Sequence, residues 1–155
     1  MSVDVSWVPD ALRRAVPWVR TSGVEFGEVT TTRAVAYLPD HEELRNHVGG
    51  PHAAMIFGLA ETASGAVGLA AFGATMERAT PLVVRAEIGY LKLARGPLTA
   101  EAVLTRPAAE VLADLDAGRR PEFTVAVAVR DGDGAETTTM TVVWTLKPNR
   151  APRAG

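Results

Sequence analysis

At 155 residues, with no cysteine, 22% charged residues and a formal net charge of −2, the chain has the size and balance of one ordinary globular domain. The lack of cysteine excludes disulfides, thiolate metal sites and thiol catalysis together. Acidic and basic residues alternate without a basic stripe, so a nucleic-acid partner has no electrostatic footprint to follow.

Residues 1–20 lack the long apolar run of a secretory leader, so a cytoplasmic protein is expected. Within them, Asp10 to Val16 reads as a short amphipathic helix, with Asp10 as its cap and Pro17 as its stop. Val24 to Leu38 is dense in Val, Thr, Phe and Tyr and reads as a strand ended by Pro39-Asp40. A polar loop, His41 to Gly50, closes on Gly49-Gly50-Pro51, with the proline suited to the first turn of a helix. That helix is expected from about His52 to Phe72.

Beyond Pro81 the period changes from helix to strand. Val84, Ala86, Ile88 and Tyr90 fall on one side, with Arg85 and Glu87 on the other. Gly96-Pro97 makes a turn before a strand over Leu98–Thr105, and Pro107 to Ala117 reads as a helical insertion stopped by Gly118. Strands over Phe123–Val129 and Thr137–Leu146 flank the hairpin turn Asp131-Gly132-Asp133-Gly134, and the tail from Pro148 is expected to fray. No repeat or linker interrupts the chain, so one domain over 1–155 is expected.

Ala53 to Thr75 carries a single charged residue, Glu61. A charge at the centre of a membrane helix costs roughly 2.5–3.5 kcal/mol, so a buried helix in an α+β fold is expected, and no membrane partner. An antiparallel sheet curled around it satisfies both the helix and the inner faces of the strands. Ala54, Gly58, Glu61, Gly65 and Gly68 share one face of this helix, while Ile56, Leu59, Ala63 and Val67 lie opposite. Each interior glycine costs the helix up to about 1 kcal/mol relative to alanine, so a helix, strand or ligand should approach that face closely. The bland reading of Glu61 is a solvated charge, or a carboxylate satisfied by Thr62 or Ser64; the functional one is a general base whose pKa is raised by burial. Asn46, His47, Gly49, Gly50 and His52 lead into the helix N-terminus, whose unpaired N–H groups suit a developing oxyanion. The three histidines, His41, His47 and His52, fit no common zinc spacing, so no metal is expected.

The run from Asn46 to Thr62 resembles the signature of the hotdog-fold thioesterases of the phenylacetate-pathway (PaaI-like) type, closest to their DUF4442 branch. That signature is an Asn, a His-Gly-Gly or His-Ala-Gly six residues later, and an acidic residue nine beyond the His; here these are Asn46, His52-Ala53-Ala54 and Glu61. Tyr90-Leu91-Lys92-Leu93-Ala94-Arg95-Gly96 is similar to the family's following strand, and the insertion, the Asp-Gly hairpin and the closing Val-Val-Trp-Thr-Leu-Lys-Pro fit as well. The resemblance implies a hotdog fold, with a five- to six-stranded antiparallel sheet wrapped around one long helix. It further implies acyl-CoA as substrate, no separate cofactor, and a homodimer or homotetramer. It makes Glu61 nucleophile or general base, places Ala53 (after His52) as the N–H donor to the thioester carbonyl, and gives Asn46 the positioning of water or substrate. His47, Gly50, Ala54, Met55, Phe57, Thr62 and Tyr90 are candidate substrate contacts, with Phe72 a further candidate wall of the acyl site. Lys92 and Arg95 are candidates for the CoA phosphates. Ala53 and Ala54 depart from the family by replacing its two glycines, and Val83 stands near the place of its later hydroxyl residue.

Ala53 and Glu61 lie about 12 Å apart along one helix, so both can act on one thioester only if they come from different protomers. Two alternatives share the fold. Hotdog hydratases and dehydratases pair a His with an acid fourteen residues on, as His47 and Glu61 are spaced here, but with a Pro-rich stretch between that is missing. A non-catalytic acyl-CoA-binding protein would fit the alanines at 53 and 54.

Overall fold

The computed structural model describes residues 2–150. Two short helices open the chain, α1 (Val8–Ala15) and α2 (Pro17–Ser22). Asp10 is not the cap expected of it. The first helix starts at Val8 behind Trp7, with Pro9 in its first turn, and Asp10 pairs with Arg13 at 3.0 Å. Pro17 ends α1 and also begins α2, because a missing N–H is harmless at a first helical position. Gly23, with φ of 76°, closes α2 in the left-handed region.

The stretch expected to be one strand is a hairpin of two, β1 (Glu25–Val29) and β2 (Arg33–Leu38). Its turn is made by Thr30, whose Oγ1 accepts the N–H groups of Arg33 at 2.9 Å and Thr32 at 3.3 Å. Three consecutive threonines look like strand in sequence, and only the first one's hydroxyl makes the turn. A 3₁₀ turn, Glu42–Leu44, then precedes a tight loop in which Arg45 bridges Pro51. Pro51 therefore stands outside the helix. His52 is the N-cap, and α3 runs Ala53–Phe72.

The remaining elements are β3 (Ala79–Tyr90), β4 (Leu98–Leu104), α4 (Ala108–Asp116), β5 (Glu122–Arg130) and β6 (Glu136–Pro148). All six strands form one antiparallel sheet in the order β1-β2-β4-β5-β6-β3. β3 begins at Ala79, earlier than its alternation suggested, and an irregularity between Val83 and Arg85 sets Val83 opposite Trp144 and Ala86 opposite Val142. Leu91 to Gly96 is loop rather than strand. Pro148 is no frayed tail: it pairs with Ala79, and the Asn149 N–H donates to Arg78 O at 2.8 Å. Residues 151–155 of the expected tail lie outside the described residues.

The sheet curls over α3. Ala34, Ala36 and Leu38 of β2 face Ala102, Ala100 and Leu98 of β4, and all are buried. These small side chains let the Ala- and Gly-rich helix come close, while Phe123, Val125, Val127 and Val129 of β5 close the other flank. Burying each Val, Leu or Phe contributes about 1.5–3 kcal/mol, which outweighs the poor helix propensity of the glycines. Ala53–Thr75 is long and apolar enough to cross a membrane, yet most of it is buried inside this wrap. α3 packs mainly on β4, β2 and β5, so β3 at the sheet edge is left largely uncovered.

Candidate active site

The loop before α3 is organised by one side chain. Asn46 Oδ1 accepts the N–H groups of Val48 at 3.0 Å and Gly50 at 3.2 Å, and its Nδ2 donates to Pro51 O at 3.2 Å. Gly50 is required there, because a Cβ on it would stand 2.6 Å from Ala94 O, a backbone atom that cannot yield. The closed loop delivers the chain to Ala53, the first residue of α3. Among the described residues no backbone carbonyl accepts the N–H of Ala53 or Ala54, as the geometry of a helix start dictates. The His52 side chain caps neither of them.

A cavity of about 670 Å³ opens at this helix start, bounded by Asn46, Gly50, Ala53 and Ile56 on one side and by Tyr90, Lys92 and Arg95 on the other. Tyr90 Oη donates to Ala53 O at 3.0 Å and ties the end of β3 to the first turn of α3. Desolvation raises the Tyr90 phenol above its ordinary pKa, which keeps it a donor. Arg95 is fixed through its backbone: its N–H reaches Asp131 Oδ2 at 3.1 Å and its carbonyl accepts Gly132 N–H at 2.8 Å. Among the described residues neither Lys92 nor Arg95 forms a salt bridge.

Six of the candidate residues thus share one cavity: Asn46, Gly50, Ala53, Tyr90, Lys92 and Arg95. Glu61 does not line it, and neither do His47, His52, Ala54, Met55, Phe57 or Thr62. Glu61 sits two turns further along α3, half-buried, and burial lifts its carboxyl above the ordinary carboxylate value with no charged neighbour contributing. Neither hydroxyl suggested for it is engaged with its carboxylate. Ser64 Oγ donates to the Glu61 backbone carbonyl at 2.7 Å and accepts Trp144 Nε1 at 3.0 Å. Thr62 is buried on another face. Phe72 is no cavity wall either; it is buried against Phe123 with ring centroids 4.7 Å apart.

The glycine face of α3 is met by aromatic side chains of the same chain, from α2, β6 and β5. A Cβ on Gly58 would lie 2.5 Å from the Trp18 ring, one on Gly65 3.6 Å from Trp144, and one on Gly68 3.4 Å from Phe123. Sequence reasoning missed these three aromatics as partners of the glycines, since nothing local links residues 18, 123 and 144 to the helix. Among the described residues no cluster of metal-ligating side chains occurs.

Comparison with known proteins bears on the family and the fold. The model of the family described as "Domain of unknown function (DUF4442)" matches residues 6–146. No curated protein matches the sequence. Among solved structures, the chain is similar to a Pseudomonas aeruginosa protein of unknown function described as a probable thioesterase. That match has a TM-score of 0.81 and 19% identity, over 96% of this chain and 99% of that one. It is also similar to a thioesterase family protein from Silicibacter pomeroyi, with a TM-score of 0.74 and 21% identity over 94% and 100% of the two chains. The E. coli PaaI protein from the phenylacetic acid degradation operon gives a TM-score of 0.71 at 12% identity, over 92% of each chain. With a six-stranded antiparallel sheet wrapped around α3 and a family match along nearly its whole length, the chain belongs to the DUF4442 family and has the hotdog fold.

Proposed function

We propose that this protein is an acyl-CoA thioesterase whose active site is shared between two copies of the chain. The observation that carries the reading is Glu61: a lone, half-buried carboxylate on the central helix whose proton affinity is raised by burial alone. A group so tuned serves as a general base nearer neutral pH than an exposed glutamate does. The family match and the thioesterase descriptions of the structural neighbours support the reaction class.

In the proposed step the thioester carbonyl oxygen rests on the N–H of Ala53 at the start of α3, where the helix dipole favours negative charge. Glu61 of the second copy takes a proton from water as the water oxygen attacks the carbonyl carbon. The tetrahedral oxyanion collapses, the C–S bond breaks, and the proton held by Glu61 passes to the leaving CoA thiolate. Water is the only co-reactant, and the glutamate ends as it began. The cavity at Ala53 takes the pantetheine arm, with Lys92 and Arg95 at its rim for the phosphates, and Asn46 acts by holding the loop. A cytoplasmic location suits such a substrate.

The second copy enters because Ala53 and Glu61 stand about 12 Å apart along one rigid helix, and Glu61 is outside the cavity that Ala53 lines. The uncovered edge strand β3 supports the same reading, since a dimer would cover it. His47, the histidine a hydratase would use, is exposed to solvent.

The test is hydrolysis of a panel of short, long and aromatic acyl-CoA thioesters by the purified protein and by Glu61→Gln. Turnover of at least one thioester, cut by about 10²–10⁴-fold in the variant, supports the assignment. Near-normal turnover by Glu61→Gln removes it, and tight acyl-CoA binding without turnover makes the protein a binder instead.

A further inference from the structure

Glu61 stands between two glycines on its own face of α3, Gly58 one turn before it and Gly65 one turn after. Each glycine has an indole against it. The Trp18 ring, from α2, would lie 2.5 Å from a Cβ on Gly58, and the Trp144 ring, from β6, 3.6 Å from one on Gly65. Both indoles are half-buried, as are Gly58, Glu61 and Gly65, so the face around Glu61 is a groove with an indole towards either end. Helical side chains lean back towards the N-terminus, which carries the Glu61 carboxyl over the turn of Gly58, on the Trp18 side. Trp144 is held by a bond of its own. Its Nε1 donates at 3.0 Å to Ser64 Oγ, which donates at 2.7 Å to the backbone carbonyl of Glu61, and Ser64 is fully buried.

Among the described residues no charge competes with these rings for Glu61. Its carboxylate forms no salt bridge, and burial lifts its pKa with no charged neighbour contributing. The charges on the elements packed against α3 are engaged with one another: Asp10 with Arg13, Arg33 with Glu28 and Glu101, Glu136 with Arg130. Glu122 of β5 pairs with Arg85. Arg14, Arg20, Glu25 and Lys147, which form no salt bridge among the described residues, are exposed.

We propose that Trp18 and Trp144 are positioning residues for the reaction: the two indoles wall in the Glu61 carboxyl and keep water from it. The N-terminal pair of helices, remote in sequence from α3, thereby belongs to the catalytic apparatus through Trp18. The proposal rests on the reading of Glu61 as general base. An apolar wall disfavours the ionised carboxylate and so makes it a stronger base. Gly58 and Gly65 then have a purpose beyond packing, since only a residue without a side chain leaves room for a ring beside the acid.

The carboxyl carbon NMR signal of Glu61, titrated with pH in the full chain, reads the walls without any turnover. Trp18→Gln should move the midpoint down towards the ordinary value of 4.5, and Trp18→Phe, which keeps an apolar ring, should restore most of the wild-type behaviour. Trp144→Gln should move it the same way. Should that variant not fold, Ser64→Ala, which cuts the bond holding the Trp144 indole, takes its place with the same direction expected. In hydrolysis the acidic limb of the kcat/KM profile reports the free base, so it should shift to lower pH together with the midpoint. A midpoint unmoved in Trp18→Gln, or a slower Trp18→Gln enzyme with its acidic limb in place, would overturn the proposal and leave the indoles as packing alone. A midpoint that moves in a protein that hydrolyses nothing would sink the thioesterase reading and leave the indole walls standing.

Discussion

Gly58 and Gly65 lie two turns apart on α3, yet the structure assigns opposite signs to the same substitution at each. An interior glycine replaced by alanine gains about 0.5–1 kcal/mol from helix propensity. At Gly65 the new Cβ would meet Trp144 ring atoms at 3.6 and 3.7 Å, ordinary van der Waals contact, so the gain is kept. For a chain of this length that corresponds to a rise in Tm of about 2–4 °C per kcal/mol. At Gly58 the Cβ would lie 2.5 Å from Trp18 Cη2 and 2.8 Å from Cζ2, roughly 1 Å inside contact distance. Overpacking of this kind costs about 1–3 kcal/mol, so Gly58→Ala should lose about 1 kcal/mol net. Urea and thermal unfolding at one fixed protein concentration, with sedimentation to follow assembly, compare the two variants. Gly65→Ala turning out destabilised, or dissociated, would mean that a partner's backbone seats on that face and the intramolecular filling by Trp144 is wrong. Equal stability of the two variants would mean that Trp18 is not seated on the helix.

Glu61 binds its proton more tightly in the fold than in the unfolded chain, whose ordinary value is 4.5. Its ionised form therefore costs stability that appears as pH rises from that value through the higher folded one. Glu61→Gln should raise Tm at pH 8 and converge with wild type below about pH 4; a constant difference across that range would refute the burial argument. Asn46→Ala removes three hydrogen bonds of 3.0–3.2 Å from the loop. Amide exchange at Val48 and Gly50 should quicken, in keeping with a local loss of roughly 1–3 kcal/mol, and unchanged exchange would deny Asn46 its organising role. Lys92→Ala and Arg95→Ala should each raise KM for acyl-CoA about fivefold or more at low salt, while leaving acyl-pantetheine thioesters unaffected, as expected for phosphate contacts. Equal effects on both substrates would place these cations elsewhere.

Periodicity and glycine placement made α3, β4, β5, β6 and the Asp131 hairpin legible in the sequence, because each is bounded by local turn chemistry: Gly118 and Gly134 both take positive φ. The Thr30 turn was not legible, since a threonine that bends the chain through its hydroxyl looks like one that extends it. Nor was the early start of β3, because Pro81 within it argues against a strand until the strand is known to be an edge. Part of the cavity lining was readable for a physical reason. Gly50 and Ala53 act through their backbone, and the Asn46 side chain bonds only within the same short segment, so their spacing fixes their geometry. The rest depends on contacts across the chain: Tyr90 on Ala53, Gly50 under Ala94, Trp144 on Ser64. No local pattern encodes those meetings. The small residues of the helix face correctly announced a close neighbour, but glycine cannot say whether a helix, a ligand or an indole comes to fill its groove.

The shared site is open to one direct measurement. Ala53 is the first residue of α3, and His52 before it has φ −66° and ψ 138°, a conformation that accepts a following proline. Ala53→Pro therefore deletes one N–H and little else. Glu61→Gln and Ala53→Pro homodimers should each be nearly inactive. Unfolded together and refolded in equal amounts, they should regain about a quarter of wild-type activity, because half the dimers are mixed and each mixed dimer holds one intact site. A mixture no more active than its components, with mixed dimers shown to form, would place Ala53 and Glu61 in separate functions and contradict the account.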